Sequence, residues 1–92
     1  MKERYNEIQR LKGMLEKAKI PFVFSELFGG YHIIYPNNHF IVCSVIEHDY
    51  SYGREQDLLE IMNRKQNDVL GYLTAENVFQ RIEKHWKELK VR

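Results

Sequence analysis

The sequence predicts an α+β fold: an antiparallel meander of three to four strands flanked by an N-terminal and a C-terminal helix. Three observations carry that prediction. Apolar stripes at helical spacing stand near both ends of the chain, at Ile8, Leu11 and Leu15 and again at Val78, Ile82, Trp86 and Leu89. Between them lie runs rich in Val, Ile, Phe and Tyr, from Phe22 to Phe28 and from Tyr31 to Ile46. Gly29-Gly30 and Pro36-Asn37-Asn38, residue types of tight turns, break those runs.

A chain of 92 residues is expected to form a single domain, residues 1–92, with a core small enough that a partner chain can complete it. A formal charge of +1 with 29% charged residues argues neither for a nucleic acid nor for a membrane surface as partner. Apolar runs fall far short of the roughly 18 to 20 residues of a spanning helix, and Met1-Lys-Glu-Arg opens with charge. Together with the lone Cys43, which has no internal disulfide partner, this leads to the expectation of a cytoplasmic protein.

Taken in order, residues 2–19 read as the first helix. Ile8, Leu11, Leu15 and Ala18 form its stripe, Tyr5 and Met14 flank it, Lys17 and Lys19 suit its C-terminal dipole, and Pro21 ends it. Phe22–Phe28 is the first strand, turned by Gly29-Gly30 into a second at 31–35, which Asn37-Asn38 turns into a third at 39–47. Residues 47–56 form a polar, aromatic connection broken at Gly53. Residues 57–62 stay open between two readings: Asp57 with Glu60 imitates a capping box, whereas the apolar run suits a fourth strand. Residues 63–68 read as a solvent-facing turn. Thr74 caps the last helix, Leu73 and Val78 form a hydrophobic staple, and Val78, Phe79, Ile82, Trp86 and Leu89 make its stripe.

With two-residue turns, period-2 alternation puts Phe24, Tyr31, Ile33, Tyr35, Phe40, Val42, Ser44 and Ile46 on one face. Val23, Ser25, Leu27, His32, Ile34, Ile41, Cys43, Val45 and Glu47 fall on the other. Both faces are apolar, so either the helices divide between them or one face meets another molecule. The same register sets His32 opposite Cys43, an imidazole beside a thiol, and a one-residue change in loop length sets Tyr31 there instead.

The stretches Ser51-Tyr-Gly-Arg-Glu-Gln-Asp-Leu-Leu-Glu-Ile-Met62 and Asp68-Val-Leu-Gly-Tyr-Leu-Thr-Ala-Glu-Asn-Val78 resemble a group of short, uncharacterised proteins of bacteriophages and prophages of Gram-positive bacteria. The resemblance covers roughly the second half of the chain. It implies a strand after the Ser-Tyr-Gly motif and a lead into a final helix. This chain departs from the pattern in carrying Asp57 where Gly is common and in a shorter connection between the motifs. The resemblance implies no activity and no cofactor.

The richest chemistry lies in the 47–55 connection. Glu47, His48 and Asp49 are a candidate polar site, and Tyr52, Arg54 and Glu55 are candidate partner-binding residues. No metal-ligand spacing is present. A basic helix start for double-stranded RNA is lacking at Thr74-Ala-Glu-Asn77, and no Glu-x-Lys of a nuclease core stands in Ile41–Glu47. The leading expectation is therefore a non-enzymatic phage or prophage accessory protein acting by protein binding or self-association. The alternative is nucleic-acid binding through Arg10, Lys12, Lys17 and Lys19 with Arg81, Lys84, Lys87, Lys90 and Arg92, where interspersed acids weaken the case. A small enzyme with His48 as base ranks last.

Overall fold

The computed structural model describes residues 5–51, 53–65 and 68–90, with only the backbone of Arg54. Helix α1 (Asn6–Lys17) leads into strands β1 (Val23–Leu27), β2 (Gly30–Pro36) and β3 (Ile41–Glu47). A single 3-10 turn at Arg54–Gln56 precedes β4 (Leu59–Asn63), β5 (Asp68–Leu73) and α2 (Ala75–Lys90). The strands form one antiparallel sheet in sequence order, β1-β2-β3-β4-β5. The α+β meander between two helices is thus present, with five strands rather than three or four.

Both helices lie on the same face. Antiparallel partners share a side of the sheet, so the pairings Phe24↔Ile33, Ile33↔Val45 and Val45↔Ile61 trace one row across the inner face. Ile33, Val45 and Ile61 are buried there together with Ile8, Leu11 and Leu15 of α1 and Ala75, Val78 and Ile82 of α2. On the outer face the row runs Val23, Ile34, Ser44, Met62, Val69, and beside it lie Ser25, His32, Ile46 and Glu60. No element of the described chain covers this row: Ile34 and Ile46 are half-buried, and Met62 and Val69 are 40% and 45% exposed.

Several boundaries differ from the sequence reading for identifiable reasons. The first helix stops at Lys17, leaving Ala18 exposed, because a Schellman motif closes it before Pro21 is reached. Lys19 takes φ 59°, its N–H donates to the Glu16 carbonyl, and the Ile20 N–H donates to the Leu15 carbonyl at 3.0 Å. Ile20 then packs beside Leu15 in the core. The β1–β2 turn falls on Phe28-Gly29, with φ 47° and 80°, one residue earlier than Gly29-Gly30. Gly30 instead serves a close approach, since a Cβ there would stand 2.1 Å from the Glu47 carbonyl oxygen.

The decisive difference is the β2–β3 loop, which spans residues 37–40 rather than Asn37-Asn38 alone. Asn37 Oδ1 accepts hydrogen bonds from the backbone N–H groups of His39 and Phe40 at 2.8 and 3.0 Å, an Asx turn that extends the connection. The register shifts at Tyr35/Pro36, where the peptide bond is cis. The β3 side chains from Cys43 to Glu47 therefore sit on the opposite face from the two-residue reading. His32 pairs with Ile46, and Cys43 pairs with Tyr35, neither with His32 nor with Tyr31.

Residues 57–62 take the strand alternative from Leu59 onward. The expected 63–68 turn narrows, with Asn63 and Asp68 paired as strand ends. β5 occupies the segment expected to lead directly into the helix, and Tyr72 at φ 60° marks the shift in its register with β4. Along α2 the stripe fades: Phe79 and Trp86 are half-buried and Leu89 is 46% exposed.

Candidate functional site

The first N–H groups of a helix have no partner within it, and α1 begins at Tyr5, φ 65°, with no capping side chain of its own. The missing acceptors come from distant parts of the chain. Asp57 Oδ1 accepts from the Asn6 and Glu7 N–H groups at 2.8 and 3.5 Å, and Glu47 Oε1 accepts from the Ile8 N–H at 3.0 Å. Glu7 then does the same for α2, its Oε2 accepting from the Ala75 N–H at 2.6 Å. Carboxylates are favoured at the positive end of a helix dipole. Thr74 and Asn77 close α2 reciprocally, each side-chain oxygen accepting the other's backbone N–H at 3.2 Å.

Glu47 is wholly buried. Its Oε2 has no hydrogen-bond partner among the described residues, and the Asp57 carboxylate is its acidic neighbour. Burial first and Asp57 second push the Glu47 carboxyl up to about 9, which leaves it protonated at neutral pH. Burial works the other way on Asp57, but its neighbour Glu47 and the hydrogen bonds from the Glu7 and Asn6 N–H groups hold it below the usual carboxylate range.

The connection after β3 is equally tied down at its start. The Ser51 hydroxyl accepts from the His48 N–H and donates to the His48 carbonyl, both at 3.0 Å, while His48 Nδ1 accepts from the Tyr50 N–H. The Asp49 N–H donates to the Phe28 carbonyl, and the Tyr5 hydroxyl donates to Asp49 Oδ1. Glu47, His48 and Ser51 are therefore buried, whereas Asp49 and Glu55 are exposed. Tyr52 and the Arg54 side chain lie outside the described residues. Among the described residues no group of three or more His, Cys, Asp or Glu is arranged to hold a metal ion.

A second cluster forms where β2, β3 and α2 meet. The buried Tyr35 hydroxyl lies 2.8 Å from His85 Nδ1, and the two rings meet edge to face at 5.5 Å. Cys43 stands across the ladder from Tyr35. Burial raises both, the phenol and the thiol each to about 12. The thiol is thus a small apolar group at neutral pH rather than a nucleophile. These residues border a cavity of about 110 Å³. The sequence carries no signal for it, since Tyr35 and His85 come together only through the placement of α2.

Four of the nine cations named for phosphate binding have partners within the chain. Arg10 pairs with Glu7 and Glu76, Lys12 with Glu16 at 3.7 Å and Lys87 with Glu83 at 3.5 Å, while Lys90 lies over the Trp86 ring. Arg92 lies outside the described residues. No described helix is long and apolar enough to cross a membrane. No family model, curated protein or solved structure matches this chain.

Proposed function

We propose that this chain is a non-enzymatic accessory protein of a phage or prophage that works by binding another protein, in its simplest form a second copy of itself, through the outer face of its sheet. One observation carries the reading: the row Val23, Ile34, Ser44, Met62, Val69 crosses all five strands with no helix over it. Contiguous apolar surface of this kind costs solubility unless it meets a partner. The two outer rows carry Glu60 as their one carboxylate and no lysine or arginine, which favours a protein surface over a phosphate backbone. The phage assignment rests on the Ser-Tyr-Gly and Val-Leu-Gly-Tyr-Leu-Thr motifs, and Tyr52, Arg54 and Glu55 remain proposed as a further contact.

The test is solution mass against concentration, followed by capture from host lysate on the immobilised chain. Association above the mass of the 11.1 kDa chain, lost in the Met62→Lys/Val69→Lys variant, supports self-association; a strict monomer refers the face to a different protein. Capture that survives that variant unchanged, together with a strict monomer, overturns the reading. Tyr52→Ala with Arg54→Ala is expected to leave the melting temperature nearly unchanged and to weaken capture.

A further inference from the structure

The cavity beside Tyr35 is separate from the helix caps and from the outer sheet face, and its lining has two chemical sides. Val42, Ile61 and Ile82 give it apolar walls, and Cys43 adds a thiol. Arg81 and His85 of α2 border it on the polar side, with Asn63 beside them. Asn63 is turned toward Asp68, donating from Nδ2 to Oδ1 at 3.5 Å, so the polar side is formed by Arg81, a guanidinium, and the His85 ring. The His85 ring is held in place by the Tyr35 hydroxyl on Nδ1. Among the described residues no carboxylate forms an ion pair with Arg81.

Size narrows the ligand. An apolar cavity of roughly 150 Å³ takes a benzene ring, so about 110 Å³ suits a branched group of a few carbons. Apolar walls with a small number of placed polar groups are the usual make-up of a small-molecule site. A guanidinium is the side chain best matched to a carboxylate, and it gains strength where the rest of the surroundings is dry. We propose that this cavity binds a short branched-chain monocarboxylate, with its hydrocarbon end against Val42, Ile61 and Ile82 and its carboxylate on Arg81 and His85.

The proposal is tested by titrating the isotope-labelled full chain with 3-methylbutanoate and following backbone amide resonances. Saturable shifts are expected at Cys43, Ile61, Ile82 and His85, with a dissociation constant roughly in the millimolar range for so small a ligand. The uncharged 3-methylbutanamide should bind about tenfold more weakly, the loss set by one charge-assisted hydrogen bond. Arg81 is exposed, so Arg81→Gln should keep the fold; it should bring the acid down to the affinity of the amide and leave the amide unchanged. Absence of saturable shifts at these residues up to about 20 mM, well above a roughly millimolar constant, overturns the proposal. So does equal binding of acid and amide in the parent chain.

Discussion

The two sides of the sheet are built on opposite terms. Where β3 ends beneath α1, polar groups are buried and held: Glu47, His48 and Ser51 have almost no exposed surface, and their hydrogen bonds reach the start of α1, a turn and one another. On the outer face, apolar groups stand half in solvent, Met62 and Val69 among them. The first region spends its chemistry on joining elements far apart in the chain. The second leaves surface that folding alone does not use, and for that reason it bears the functional proposal while the polar cluster explains the fold.

The sharpest way to break the comparison is Gly30→Ala. A methyl group there meets the Glu47 carbonyl oxygen at 2.1 Å, backbone against backbone, with no flexible side chain to give way. Destabilisation of more than about 4 kcal/mol, or loss of folding, is expected in denaturant unfolding, placing it among exceptional single substitutions.

Leu11→Ala follows. Leu11 is completely buried between α1 and the sheet, and truncation should cost about 3 kcal/mol through lost transfer energy and the cavity left behind. A cost below about 1 kcal/mol in the same unfolding experiment would mean that α1 is not seated on the inner face.

Glu47→Gln tests the buried carboxyl through pH. The folded-state value of about 9 stands above the ordinary 4.5, so the folded chain holds a proton that the unfolded chain has released. Stability from this group is full below about 4.5 and declines as pH rises toward 9, by at most about 1.4 kcal/mol per pH unit. Asp57, held low, acts in the opposite sense, its contribution being lost as pH falls through its folded value. Glutamine has no proton to release, so the variant should show a flatter profile between pH 5 and 9 than the parent chain. Parallel profiles would place Glu47 in contact with solvent.

The smallest effect is expected on the other side. Met62→Lys and Val69→Lys should each change unfolding free energy by less than about 0.5 kcal/mol, since neither side chain is packed in the core. A loss like that of Leu11→Ala would show that the outer face is covered in solution and would itself be a sign of association.

Much of the fold was legible in the sequence, and the candidate site much less so. Ile8, Leu11 and Leu15 announce the first helix by spacing alone, and Thr74 announces the start of the last by its capping chemistry. β5 was harder to see, because Gly71 weakens its pattern and its residues are mostly exposed at a sheet edge. The polar connection after β3 reads as a solvated loop by composition, yet burial of Glu47 and His48 comes from packing against α1 and the turn at Phe28–Gly30. Asp57 illustrates the same point: at φ 56° it occupies a backbone region where glycine is at ease, and its carboxylate offsets the strain by capping a helix 50 residues away.

By itself the sequence determined the helices, the strand-rich middle and the antiparallel order, because periodicity, turn composition and caps act over a few neighbouring residues. Tertiary structure alone decided the β3 register, and with it every pairing across the centre of the sheet. A strand has two faces, so the choice between a two-residue turn and the 37–40 Asx loop moved Cys43 from His32 to Tyr35. It likewise decided the ionisation of Glu47, since burial and a facing carboxylate are properties of the assembled elements and of no single stretch of chain.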